Sequence, residues 1–191
     1  IIDKFLLNKN SFIFESVEKR KIRGRYTILG SNPDKIWEFN KKKIYIIKNN
    51  KRKSVKAKPY KYLKNLIENF NFPLPKDLPP ICSLLVGYFS YDIIRYIEKI
   101  PDNSFNDLNI PDIRLLRPKT IIIHDNLLKK IYFIENCFAD EKINNYKKYY
   151  LKHVENIKHL KSMSFNFEKK KVNKIKKNKK IKVKSNISKL Q

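Results

Sequence analysis

Side chains able to carry chemistry are few in this chain and widely spaced. His124, His153 and His159 are its three histidines. His153 and His159 stand six positions apart and fall on different faces of any helix, so neither a metal site nor a general base is read from them. No His-Glu-x-x-His motif, glycine-rich phosphate loop or Ser/His/Asp set is present. Arg25, Asp92 and Arg95 invite a catalytic reading. Asp92 and Arg95, however, have the three-residue spacing of an ion pair on one helix face, and all three residues are read as structural. Glu15-Ser16 closes a short apolar run and, taken alone, reads as the solvated end of a strand. Cys82 and Cys137 are too few for a disulfide framework or a metal knuckle and are read as reduced, partly buried thiols.

These residues must be positioned by short strands and a few helices. Ser11 to Ser16, Arg25 to Gly30, and a hairpin of Lys35 to Phe39 with Lys43 to Lys48, turning at Asn40-Lys41, have strand character. Asn49 to Lys58 reads as a basic loop. Pro59 opens a helix whose apolar face is Leu63, Leu66, Ile67 and Phe70. Four prolines between Asn71 and Pro80 end it. Ser83 to Ser90 reads as a buried strand, with Tyr88 and Tyr91 packing in the core, and Tyr91 to Ile100 as a short helix. Ile113 to Leu116, Thr120 to His124 and Lys130 to Glu135 follow as strands, the last two joined around Asp125-Asn126. Asp140 to Lys161 has helical spacing through Ile143, Tyr146, Tyr150, Val154 and Ile157. The fold class is therefore α+β, a largely antiparallel sheet with flanking helices. Three segments are expected: a domain over 1–168, a lysine-rich linker over 169–184, and the opening of a further domain over 185–191.

Composition narrows the function classes. Of 191 residues, 41% are hydrophobic and 13% aromatic, which excludes a disordered chain. No apolar run approaches the roughly 18 residues that span a bilayer. No signal-peptide pattern opens the chain, so a cytoplasmic location and no membrane partner are expected. The chain starts at Ile1 and stops at Gln191, and both ends read as cut. A net charge of +26 would suit nucleic acid, but only seven of 44 basic residues are Arg, the side chain preferred for specific phosphate and base recognition. Ten lysines and no acid lie in 169–184, leaving 26 − 10 = +16 elsewhere. That stretch lacks aromatic residues for base stacking, so a nucleic-acid partner is not expected and a basic nucleic-acid-binding module is the least favoured alternative.

Only three glycines occur, Gly24, Gly30 and Gly87, and each should mark a place where a side chain is not tolerated. All three lie within ordered motifs: Ile13-Phe14-Glu15-Ser16; Gly24-Arg25-Tyr26-Thr27, Gly30 and Asn32-Pro33-Asp34-Lys35-Ile36-Trp37; Val86-Gly87-Tyr88-Phe89-Ser90-Tyr91-Asp92 with Arg95 and Glu98; Leu116-Arg117-Pro118; and Ser185-Asn186. In this order and spacing the chain resembles the N-terminal region of anthranilate synthase component I. Ser83, Leu84 and Ser90 depart from that family's glycines.

The resemblance implies the N-terminal part of that family's fold and a lyase that makes anthranilate from chorismate in tryptophan biosynthesis. Ammonia would come from a glutamine amidotransferase subunit, component II. It implies Mg²⁺ and the catalytic groups in the C-terminal half, so this segment alone should be inactive and should hold neither catalytic residues nor a metal. It also implies feedback inhibition, with Ser16 and Glu15 binding L-tryptophan. A carboxylate can pair with the inhibitor's ammonium, a hydroxyl can donate or accept, and Phe14 could cover the indole. Aminodeoxychorismate synthase component I, of folate synthesis, is the alternative with the same substrate.

Overall fold

The computed structural model describes residues 5, 8–15, 24–70, 73–101 and 108–165. Ser16, the lysine-rich stretch 169–184 and the segment 185–191 lie outside the described residues, as do the expected domain boundaries. Seven strands form one antiparallel sheet: β1 (Phe12–Phe14), β2 (Tyr26–Asn40), β3 (Lys43–Lys48), β4 (Lys51–Val55), β5 (Val86–Phe89), β6 (Ile113–Asp125) and β7 (Lys130–Glu135). Two helices, α1 (Pro59–Asn69) and α2 (Tyr146–Phe165), and a 3-10 turn over Tyr91–Tyr96 complete the described elements. The α+β class with an antiparallel sheet is as expected.

The long strands β2 and β6 pair along nearly their whole length. β4, β3 and β5 flank their upper halves, and β1 and β7 their lower halves. The expected strands Arg25 to Gly30 and Lys35 to Phe39 are not separate, and Asn32-Pro33-Asp34 lies within one strand. The register passes from Pro33↔Pro118 to Lys35↔Arg117, so Asp34 is the extra residue of a β-bulge, preceded by Asn32 at φ 50°. Likewise Pro118 does not split β6. Two prolines oppose one another at the bend, so each missing N–H falls where regular pairing is already interrupted.

The bulge inverts the side-chain parity of β2. Ile28 and Gly30 share the face of Ile123 and Ile121, whereas Trp37 and Phe39 share the face of Leu115 and Ile113. One apolar cluster gathers Trp37, Phe39, Ile44, Ile113 and Leu115 under Leu63 of α1. A second gathers Ile121, Ile123, Ile134 and Cys82. A third, with Phe5, Leu29 and Ile122, receives Leu160 of α2.

Several local expectations need correction. Residues 51–55 form β4 rather than a loop, because the left-handed pair Asn49 (φ 49°) and Asn50 (φ 60°) closes a tight hairpin on β3. Asparagine serves here where a glycine-richer chain would use Gly. The hairpin between β2 and β3 turns one residue later than expected, at Lys41-Lys42, with φ 45° and 64°. The apolar face of α1 is narrower than its spacing suggests: Leu63 is buried and Leu66 packs beside it, but Ile67 is exposed. β5 is shorter than expected and only Val86 in it is buried. Tyr88 and Tyr91 do not pack in the core, and Tyr91 is 94% exposed. β5 lies at the end of the sheet, so its alternate side chains find no second layer.

The last helix begins at Tyr146, not near Asp140, because Asn145 accepts a hydrogen bond from the Lys148 N–H at 2.9 Å and caps it. Its buried side chains are His153 and Ser164, while Tyr146 and Tyr150 face solvent. Of the two free cysteines, Cys82 is buried as expected and Cys137 is exposed.

Candidate functional site

Glu15 stands one residue beyond β1 and is exposed, and Phe14 before it is half-exposed. A solvated acid beside an uncovered ring has the chemistry that recognition of an amino acid needs, but the described residues bring no further charged group to it. Ser16, its expected companion, lies outside them. Asn10, just upstream, accepts a hydrogen bond from Arg114 at 2.7 Å, which ties this segment to β6.

The densest polar cluster lies at the bend of the sheet. Arg117 donates through Nε to Asp34 at 2.8 Å and through Nη2 to the other oxygen of the same carboxylate. Nη2 also donates to Asp140 at 2.8 Å, and Lys35 holds the second oxygen of Asp140. Only the bulge makes this possible, because the extra residue, Asp34, brings its carboxylate within reach of Arg117. The guanidinium lies 3.9 Å from the centroid of Phe138 and 5.7 Å from that of Trp37. Burial opposes ionisation of Asp140, yet Lys35 and Arg117 outweigh it and hold the carboxyl at about 2.

A second cluster continues along β6. Lys119 donates to Glu141 at 2.7 Å, the Tyr149 hydroxyl donates to the same carboxylate oxygen at 2.8 Å, and the Phe138 N–H donates to its other oxygen. Burial and the Glu141 carboxylate raise the Tyr149 phenol above its ordinary value. One step further, Glu135 accepts from Thr120 and lies 2.9 Å from His153 Nδ1, both side chains buried. Asn32 donates to Thr120 at 3.2 Å and closes the chain back to the bulge. His153 therefore anchors α2 to the sheet.

The charged residues read as structural are so placed. Arg25 forks onto Asp125, which also accepts from the turn N–H groups of Leu127 and Leu128. Arg25 chiefly, with those turn amides, holds Asp125 at about 2 against the opposing effect of burial. Arg95 donates to Asp92 at 2.8 Å and to the Ile100 carbonyl at 3.2 Å. Each charge in these clusters is satisfied by a protein neighbour, so they fix geometry rather than react. Among the described residues no three His, Cys, Asp or Glu side chains stand where they could hold a metal ion. The Mg²⁺ implied by the resemblance does not fit here.

The Asn-Pro-Asp and Leu-Arg-Pro motifs, 83 positions apart at Asp34 and Arg117, thus meet in one ion pair. The pattern that describes chorismate binding enzymes matches residues 9–189. The chain belongs to the chorismate binding enzyme family. Within that family it is similar to anthranilate synthase component 1 of Cereibacter sphaeroides, 33% identical over 71% of this chain and 28% of that one. It is also 30% identical to the Acetivibrio thermocellus protein of the same name, over 77% of this chain and 29% of that one. The fold matches the crystal structure of anthranilate synthase component I from Streptococcus pneumoniae TIGR4. That match has a TM-score of 0.60 at 18% identity and covers 85% of this chain and 33% of that one. The chain spans under a third of the length of these relatives.

In this family member, sequence reasoning noticed Arg117 and Asp34 only as motif letters. Asp140, Lys119, Glu141 and Glu135 went unremarked. An acid that joins a bulge, or one that precedes a helix cap, carries no periodic signal. The one available cue was Arg117 set between Leu116 and Pro118, a charge among apolar residues that needs a partner if buried.

Proposed function

We propose that this chain is the N-terminal portion of an anthranilate synthase component I, which converts chorismate to anthranilate with ammonia from a glutaminase partner. The observation that carries this reading is the family match over 9–189 together with relatives of that name at 30% identity or more. Those names also favour it over the folate-pathway alternative. On this reading Mg²⁺ and the acid–base groups belong to residues beyond those described, and the sheet is the platform on which they are assembled. L-Tryptophan acts as feedback inhibitor, its ammonium paired with Glu15, its polar end bonded to Ser16 and its indole against Phe14. The exposure of Glu15 and Phe14 supports that placement. Among the described residues no helix is long and apolar enough to cross a membrane, and a cytoplasmic enzyme is proposed.

The test uses the whole polypeptide encoded by the reading frame that contains these residues. It is supplied with chorismate, ammonia and Mg²⁺, and anthranilate fluorescence is followed with and without L-tryptophan. Fluorescence that tryptophan suppresses, and that Ser16→Ala renders resistant, is the expected result. Chorismate consumption without anthranilate, or no consumption, would overturn the assignment.

A further inference from the structure

The outer edge of β5 is built differently from the other edges of the sheet. Ser90 donates its N–H to the Asp112 carbonyl at 2.8 Å. Backbone groups alternate along a strand, so the N–H groups of Tyr88 and Val86 also face β6, and those of Gly87 and Phe89 face away from it. Among the described residues neither outward N–H has a hydrogen-bond partner. The side chains around this edge are apolar and uncovered: Tyr88 is 39% exposed, Phe89 50% and Tyr91 94%.

Open strand edges invite pairing, and folded proteins usually guard them with charge, shortness or a covering element. The other edges here are guarded. β4 exposes Lys51, Arg52 and Lys53, α2 packs against β7, and β1, at three residues, is one residue shorter than β5. β5 itself carries Val-Gly-Tyr-Phe, with no charge, no proline and no cover among the described residues. Gly87 adds a constraint, because a Cβ there would stand 1.7 Å from the Arg114 carbonyl oxygen. The backbone of β5 is thus drawn close to β6 at that point.

We propose that an extended strand from the further length of the enzyme, the part its relatives carry beyond the span matched here, adds to the outer edge of β5 and covers Phe89 and Tyr91. It bonds to the outward N–H and C=O groups of Gly87 and Phe89. This rests on the proposed function, since the occupant is the remainder of an anthranilate synthase component I polypeptide; the matched relatives are more than three times as long as the span covered. Backbone pairing supplies the register, and the exposed aromatics supply the apolar contact that makes it specific.

Amide exchange of the whole polypeptide, resolved at single residues, tests this. The Gly87 and Phe89 amides should exchange at least about a hundredfold more slowly than unprotected amides, and so resemble the inward Tyr88 amide. Phe89→Pro removes one outward donor and leaves the β6 ladder intact. It should release Gly87 while Tyr88 stays protected. Free exchange at Gly87 and Phe89 in the unmodified polypeptide, whatever its length, would overturn the inference. Anthranilate formation measured on the same sample separates the two ideas. Activity with free exchange sinks the added strand alone, and protection without activity sinks the functional assignment alone.

Discussion

Replacing Arg117 with Met tests whether the cluster at the bend holds the sheet together. The substitution keeps an apolar stem against Phe138 and Trp37 and removes the guanidinium. Asp34, whose side chain is 7% exposed, then stays buried without its bidentate partner, while Asp140 keeps Lys35. Breaking a buried pair from one side costs about 3–5 kcal/mol. In a chain of this size each kcal/mol corresponds to roughly 2–4 °C in Tm, so the midpoint should fall by about 6–20 °C. Trp37 is the sole tryptophan and is 3% exposed, so urea unfolding can be followed by its emission, with circular dichroism as control because Arg117 sits beside its ring. Arg117→Met with Asp34→Leu should recover most of the loss, since an apolar pair of similar volume replaces an ion pair at little net cost. A single variant that loses less than about 1 kcal/mol, or a double variant as unstable as the two single losses added, would refute this reasoning.

Gly87→Ala should destabilise the sheet by at least about 1–3 kcal/mol in urea unfolding, because backbone rather than a movable side chain lies 1.7 Å from the new Cβ. Phe39→Ala, at a fully buried ring, should cost about 3–5 kcal/mol, whereas Tyr91→Ala should stay within about 0.5 kcal/mol. Both measurements use the same unfolding curves. The Asp125 and Asp140 carboxyls, held at about 2 against an ordinary 3.8, favour the folded state above pH 3.8. Below that, the unfolded chain binds protons first, so their contribution falls as pH drops through about 2. An acid titration of Trp37 emission should therefore lose stability in that window, and Asp125→Asn should flatten the loss.

What could be read in advance followed local periodicity. Lys43 to Lys48 and Lys130 to Glu135 are short apolar and aromatic runs between charged ends and turn residues, so β3 and β7 were legible to the residue. Pro59 marked the first turn of α1 because its fixed φ and missing N–H suit that position. β4 was not legible, since Lys-Arg-Lys-Ser-Val has no apolar alternation, and only pairing with β3 brings Val55 to the core and Arg52 onto Tyr45 and Glu38. The continuity of β2 and β6 was hidden because a proline in each reads as a break until the two are seen opposite one another. The polar clusters depend on register across 83 and 105 positions, to which no window of local sequence is sensitive. Tyr88 and Tyr91 were misread because aromatic type predicts burial only where a second layer exists to bury against.

The opposed prolines also divide the sheet as a cooperative unit. At the Pro33–Pro118 rung neither strand has an amide proton to give, so the ladder transmits no hydrogen bond between its upper and lower halves. Each half has its own apolar cluster, one under α1 and the other bounded by Cys82 and Ile134. What straddles that rung, besides the two backbones, is the adjacent pair Asp140 and Glu141, the first bonded to Arg117 on one side and the second to Lys119 on the other. Weakening that pair of contacts should let the two halves of the described sheet open separately.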